Sequence, residues 1–258
     1  MNSISLIVPV HKLEKTYLDS CITSIKNQKE KPDEVLFVTS NDIELKEYLN
    51  SYDFDQIKDI VRIVENESGD YGFQSQMNYG VKESKSEYIT FVEYDDEISP
   101  IWIKNGKEYS EHYPEVGVFL PIIYETDENG RFISFTNESV WAKDFSEVSG
   151  YLDNNALQRV QNFNFDGMVV KKSIYEDNGG LKSNMKLTFT YEFLLRMTYF
   201  SVPVMVIPKL GYKHTNNREG SLFVEYKSTI DVLESKFWVN KAKKEYFYTQ
   251  DREITYEV

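Results

Sequence analysis

The densest chemistry in the chain is Glu93-Tyr94-Asp95-Asp96-Glu97, four carboxylates in five residues. The run before it, Tyr88-Ile89-Thr90-Phe91-Val92, is apolar and β-rich, so the acids fall at the carboxyl end of a buried strand. Carboxylates packed this closely repel one another until a cation neutralises them. A divalent ion with an anionic diphosphate on its far side resolves the repulsion. The plainer alternative is an acidic surface turn that caps the next helix. A second polar cluster, Gly211-Tyr212-Lys213-His214-Thr215-Asn216-Asn217-Arg218-Glu219-Gly220-Ser221, follows the last apolar strand and gathers cations in a chain with only three histidines. An ordinary surface or capping role for His214 stands beside a place in the acidic site. His11 ends the first apolar run, where a strand-end cap is the plain reading. Trp102, just past Pro100, could line a pocket, although an aromatic at a helix start more often joins the core.

These residues need a frame that brings strand ends together. Residues 4–10, ISLIVPV, form an apolar run without polar alternation, as a strand covered on both faces of a parallel sheet does. Leu18, Cys21, Ile22 and Ile25 recur at helical spacing and predict a helix over 14–28 with Cys21 facing the core. Further strands are predicted at 34–38, 60–64 and 88–92, with helices over 43–52 and 73–84. That alternation calls for a right-handed, mostly parallel sheet with helices on both faces. Ligands of such sheets bind at the carboxyl ends of the strands, here the loops after Val10, Val38, Val64 and Val92. Beyond Pro100 the reading is a strand at 116–123, a hairpin turn at Glu128-Asn129-Gly130 and an irregular polar stretch over 137–164. A strand at 165–170, a helix over 190–200, a strand at 202–207 and a helical tail over 223–248 complete it.

Composition removes several function classes. The 258 residues carry a formal charge of −13, from 42 acidic and 29 basic side chains, and show no basic run, so no nucleic-acid partner is expected. The single cysteine, Cys21, excludes an intrachain disulfide, and three histidines leave little for a zinc cluster; a reducing, cytoplasmic location is expected. The longest later apolar stretch, 202–207 with Pro203 inside it, is far below the roughly 20 residues that cross a bilayer, so neither a transmembrane segment nor a secretion signal is expected.

A series of motifs, in order, resembles the family 2 glycosyltransferases, which have the GT-A fold. Val8-Pro9-Val10-His11 and Ser24-Ile25-Lys26-Asn27-Gln28 match the family's opening strand and the end of its first helix. Pro32-Asp33-Glu34-Val35 matches its second strand, and Asp70-Tyr71-Gly72 with Asn78-Tyr79-Gly80 its paired Asn-x-Gly. Ser86 to Asp96 is similar to Gly-Glu-Tyr-Ile-x-Phe-Leu-Asp-x-Asp-Asp, and Gly179-Gly180-Leu181 with the helix ending at Arg196 to the acceptor-side motifs.

The resemblance implies an α/β GT-A (Rossmann-like) domain over 1–222, with a mostly parallel central sheet, helices on both faces and a small acceptor-side hairpin and lid region. Residues 1–100 form its nucleotide-binding half and 101–222 its acceptor-side half, and 223–258 is a helical extension packed on the same domain. It implies metal-assisted, inverting transfer of a sugar from a nucleotide-sugar donor, a UDP-sugar by family preference, to a hydroxyl of a glycan or other acceptor, as in polysaccharide biosynthesis. A degenerate relative that binds nucleotide or glycan without turnover is the alternative. By matching position, Pro9, Val10, His11, Ser40, Asp70, Asn78, Glu93, Tyr94 and Arg218 contact the nucleotide sugar. Asp95, Glu93 and His214 hold Mn²⁺ or Mg²⁺. The chain departs from the family at Thr39 and Ser40, where paired Asp residues help hold the base, and at Glu93, which replaces an Asp. It departs again at Phe189-Thr190, the position of the Glu-Asp pair that supplies the catalytic base. Glu192 is the only acid between Gly180 and Arg196 and is expected to take over as that base.

Overall fold

Every side chain of the first apolar run is buried, as an unalternating β-branched segment requires. The computed structural model describes residues 2–216, 218–229 and 232–245. The first half runs β1 (Ile4–Val10), α1 (Lys15–Lys26), β2 (Glu34–Thr39), α2 (Ile43–Ser51), β3 (Val61–Glu65), α3 (Phe73–Glu83) and β4 (Tyr88–Phe91). β1 pairs in parallel with β2 on one side and β4 on the other, and β2 pairs in parallel with β3. The chain therefore winds outward through β2 and β3 and then returns to the far side of β1. The reversal opens a crevice at the carboxyl ends of β1 and β4, and the acidic turn follows β4 directly.

The second half adds β5 (Glu97–Ile98), α4 (Trp102–His112), β6 (Val118–Thr126), β7 (Phe132–Thr136), β8 (Tyr151–Leu152), α5 (Asn154–Arg159), β9 (Val169–Lys171), α6 (Lys172–Asp177), α7 (Phe189–Tyr199), β10 (Val204–Thr215), α8 (Leu222–Thr229) and α9 (Val232–Glu245). β9 enters antiparallel between β4 and β6, and β10 runs parallel to β6. The path through the sheet is β3-β2-β1-β4-β9-β6-β10-β5, with β7 paired to β6 and β8 to β10. Two cores cover its faces. Leu18, Cys21 and Ile22 of α1, Leu45 and Leu49 of α2 and Trp102 and Ile103 of α4 pack on one face. Met77 and Val81 of α3 and Phe193, Leu194 and Met197 of α7 pack on the other. Each buried aliphatic or aromatic side chain of this kind contributes about 1.5–3 kcal/mol.

The hairpin turn forms where Glu128-Asn129-Gly130 places it, with Asp127 accepting from the amides of Asn129 and Arg131. The stretch 137–164 is less irregular than its polarity suggests, since it holds β8, α5 and a 3-10 turn over Glu138–Trp141. The largest difference from the sequence reading is β10. Instead of ending at 207 it continues to Thr215, with irregular register around Leu210, so residues 211–215 are strand rather than loop. Gly211 makes this possible, because a Cβ there would sit 2.3 Å from the Trp102 ring. Trp102 is itself fully buried and donates its indole N–H to the Gly167 carbonyl at 2.7 Å, so it is a core residue and not a pocket wall. α8 and α9 carry the helical tail to Glu245, and its continuation over 246–258 lies outside the described residues. Among the described residues no helix is long and apolar enough to cross a membrane.

Gly80 sets how closely α3 approaches the sheet, since a Cβ would meet Ile7 at 2.6 Å and Val38 at 2.9 Å. Both neighbours lie in the core, and neither side chain can swing away. Gly80→Ala is expected to destabilise the protein by about 1–3 kcal/mol, read as a lower midpoint in urea with an unchanged slope.

Candidate active site

The turn after β4 closes when the Asp96 amide donates to the Glu93 carbonyl at 3.0 Å, which brings the side chains of Glu93, Asp95 and Asp96 to the head of the crevice. Asp96 is 2% exposed, and such a buried carboxylate must be compensated. β10 supplies the compensation. Tyr212 Oη donates to Asp96 Oδ2 at 2.9 Å, His214 Nδ1 lies 2.9 Å from the same oxygen, and the Thr215 amide donates to Oδ1 at 2.8 Å. Tyr212 Oη also accepts from the Glu93 amide at 3.0 Å. Asp95 is held by Arg218, whose Nε and Nη2 approach it at 2.8 and 2.7 Å. The same guanidinium reaches Glu14 at 2.6 Å and Tyr94 Oη at 3.0 Å and stands over the Tyr17 ring at 4.6 Å.

The charges of this site are strongly coupled. Burial raises the Glu93 carboxyl well above the usual range, and the charges of Asp166, Asp95 and Asp96 push it further. Asp166 is raised to about 7, chiefly by burial, with His214 opposing the rise. Burial alone would lower His214, but Asp96, Asp166 and Glu93 outweigh it and hold the ring well above its ordinary value, as a cation at neutral pH. His11 has the opposite fate. Burial, then Lys12 and Arg218, lower it to about 4, so it is a neutral ring set edge-on to Tyr94.

These groups open onto a cleft of about 360 Å³. Pro9, His11, Glu93, Tyr94, Asp95 and His214 line it, so the structure brings most of the expected donor and metal residues together. Arg218 joins them through Asp95. Others face elsewhere. Val10 is buried, and its carbonyl accepts from Gln76 at 3.4 Å. Ser40 is buried, with its hydroxyl 3.5 Å from the His11 carbonyl. Asp70 accepts from the Gly72 amide at 3.0 Å, an Asx turn that opens α3. Asn78 is committed to packing, accepting from the Leu181 amide at 2.9 Å and Tyr175 Oη at 2.7 Å and donating to the Leu181 carbonyl at 2.8 Å.

Glu192 is not in the cleft. It is fully buried between Lys182 Nζ at 2.9 Å and Arg196, whose Nε and Nη2 bind its two oxygens at 2.8 and 3.0 Å. Arg196 also donates to the carbonyls of Asn178 and Gly180, so the cluster ties α7 to the Gly179-Gly180-Leu181 loop. Thr190, at the family's base position, does line the cleft. So does Asp166, and so do Glu125, Lys186, Gln161, Asn162 and Asn164, which the sequence reading did not gather. The one signal for Asp166 was an acid two residues after Asn164 and just before Gly167, where the chain turns into β9.

Asp96, Asp166 and His214 each offer a ligand atom, and the three atoms lie within 4.8 Å of one another. Two carboxylates and an imidazole suit Mn²⁺ or Mg²⁺ better than a soft, thiolate-seeking metal. Asp95, expected as a ligand, is instead paired with Arg218, and Glu93 stands beside Asp166.

A family model described as Glycosyl transferase family 2 matches residues 5–179. Glycosyltransferase GlyA of Streptococcus pneumoniae serotype 4 is 23% identical over 163 residues, which is 63% of this chain and 23% of that protein, so the chain spans about a quarter of this curated relative. The fold is similar to S. aureus TarS 1–349 crystallised with UDP-GlcNAc, with a TM-score of 0.68 at 18% identity over 97% of this chain and 68% of that one. TarS 1–349 crystallised with UDP gives 0.62 at 15% identity over 95% of this chain and 80% of that one.

Burial of Glu192 between two cations yields a prediction opposite to that for a catalytic base. Glu192→Gln leaves Lys182 and Arg196 without their counter-charge in the core, and is expected to cost about 3–5 kcal/mol in urea unfolding. A variant of wild-type stability with lost turnover would restore the catalytic assignment.

Proposed function

Because the chain belongs to glycosyltransferase family 2, we propose that its cleft binds a nucleotide-sugar donor, a UDP-sugar, and transfers the sugar with inversion to a hydroxyl of a glycan or other acceptor. The observation that carries this reading is the acidic turn at the β1/β4 crevice, faced by two cations from the far end of the chain, His214 and Arg218. Breaking the bond between a sugar carbon and a nucleoside diphosphate leaves negative charge on the departing oxygen, and preorganised cations aimed at that charge lower the barrier. His214 and Arg218 are such cations, each fixed by a carboxylate, Asp96 for one and Asp95 for the other. Neutral His11 and Tyr94 give the nucleotide a wall without a charge. TarS, similar in fold, was crystallised with UDP-GlcNAc and with UDP, which supports a uridine nucleotide.

Mn²⁺ or Mg²⁺ held by Asp96, Asp166 and a His214 that gives up its proton on binding would supply Lewis-acid stabilisation of the diphosphate, the ion then taking the place of the imidazolium as the local cation. Residues 1–222 carry the transferase, with the nucleotide-binding half in 1–100 and the acceptor-side half in 101–222, from which His214 and Arg218 reach back to the diphosphate. Ala242 is buried and Val239 packs on the core, which supports a C-terminal extension seated on the same domain. A lone, buried Cys21 fits a reducing, cytoplasmic compartment, and polysaccharide biosynthesis is the role that transfer to a glycan implies there.

One observation favours a second reading, a relative that binds nucleotide or glycan without turnover. Thr190 cannot ionise at working pH, and Glu192 is spent in the core. On the catalytic reading, Glu93 and Glu125 are the cleft carboxylates left to act as base, since Asp95 is paired with Arg218 and Asp166 would hold the metal. Incubation with a panel of UDP-sugars separates the two. Release of UDP is expected with Mn²⁺ and not with EDTA, and Asp166→Asn is expected to lower it by roughly 10²-fold or more. Tight UDP binding by calorimetry with no release for any donor establishes the non-catalytic reading.

A further inference from the structure

Asp166 lies in the short segment that leads into β9, and the chain is pinned on both sides of it. The first pin is Asn137, which follows the last residue of β7, is 1% exposed and has a φ of 76°. Asparagine tolerates that left-handed conformation better than most residues. Its Nδ2 donates to the Pro121 carbonyl of β6 at 2.9 Å and to the Asn164 carbonyl at 2.7 Å, and its Oδ1 accepts from the Asn164 amide at 3.0 Å. The side chain thus pairs with the Asn164 backbone as a neighbouring strand would.

Asn164 passes this anchorage to Asp166. Its Oδ1 accepts from the Asp166 amide at 3.2 Å, and its Nδ2 donates to Asp166 Oδ2. The second pin is Gly167, whose carbonyl accepts from Trp102 Nε1 at 2.7 Å and Thr90 Oγ1 at 3.2 Å. A Cβ at Gly167 would sit 2.6 Å from the Tyr212 ring, so this backbone lies against the side chain that donates to Asp96.

The electrostatics of the site require such a clamp. Asp96 and Asp166 are both buried, and each places a ligand atom within 4.8 Å of the other and of His214. Like charges at that range push apart. Asp96 is fixed by Tyr212, His214 and the Thr215 amide. Among the described residues, Asn164 is the side chain that hydrogen-bonds to the Asp166 carboxylate, since His214 stands 3.9 Å away.

We infer that Asn164, and Asn137 behind it, are positioning residues that aim the Asp166 carboxylate at a divalent ion shared with Asp96 and His214. The inference rests on the metal-assisted reading and adds the residues that preorganise one ligand of that ion. Loss of such a partner commonly weakens metal affinity by about 10–100-fold.

The test is Mn²⁺ binding to the full chain, read by EPR of the free ion with and without UDP, so it does not depend on turnover. Asn164→Ala is expected to bind Mn²⁺ about tenfold or more weakly than wild type. Asn137→Gly keeps the left-handed turn while removing all three side-chain bonds, and is expected to lose affinity in the same direction. Because Asn137 acts through Asn164, the double variant is expected to bind within about twofold of Asn164→Ala, and additive losses overturn the relay. Gly80→Ala, strained in the α3 packing, controls for general loosening and is expected to keep wild-type Mn²⁺ affinity. An equal loss in Gly80→Ala, or wild-type affinity in Asn164→Ala, overturns the positioning role and leaves the metal site standing. Wild-type protein that binds no Mn²⁺ under either condition overturns the metal reading and this inference with it.

Discussion

Burying Asp96 is the constraint from which the rest of the site follows. A carboxylate at 2% exposure beside Glu93 and Asp95 is tolerable only with close donors, and no residue near it in sequence supplies them. The donors come from Tyr212, His214 and Thr215, more than a hundred positions away. The end of β10 is thereby drawn across the crevice between β1 and β4, and the chain that follows becomes the wall of the cleft. Arg218 repeats the device one residue earlier in the turn, since its bonds to Asp95, Glu14 and Tyr94 join that wall to the start of α1.

The same constraint explains why β10 is so long. Pairing with β6 covers Val204–Val206, slips at the irregularity and resumes from Leu210 to Thr215. The strand continues because the Asp96 clasp fixes its far end, and because Gly211 lets its backbone pass the Trp102 ring. The electrostatics follow in turn. His214 is a cation because three acids surround it, while His11, close to Lys12 and Arg218, is not. Two histidines in one cleft are thus held in opposite charge states by their neighbours.

The sequence carried the parallel half of the fold almost completely, because β1, β2 and β4 are dominated by apolar and β-branched residues without polar alternation and α1 and α3 keep a clear 3.6-residue period. It also located the acidic turn and the two cations that face it. Pairing between them was not legible, since no local pattern records that Arg218 meets Asp95 rather than the solvent. The polar stretch 137–164 hid Gln161 and Asn162 for the same reason, as amides without periodicity read as loop whether or not they line a cleft. Asn78 shows the converse. A residue at a motif position was expected to touch the donor, and the fold uses it to hold Leu181 and Tyr175.

Glu192 shows how far a displaced acid can substitute for a missing one. Successive residues of an α-helix turn by 100°, so a shift of two positions carries a side chain about 200° round the axis, to the opposite face. Thr190 faces the cleft, and Glu192 therefore faces the core. The longer side chain of Glu cannot undo a rotation. What fixes Glu192 is the i,i+4 relation to Arg196, which places the guanidinium on the same face one turn later. Lys182 completes the charge balance from the neighbouring loop. The pair Glu192 and Arg196 was visible in the sequence as a helix-spaced ion pair. Weighing that spacing before the need for a base would have placed Glu192 in the frame that holds the acceptor-side loop.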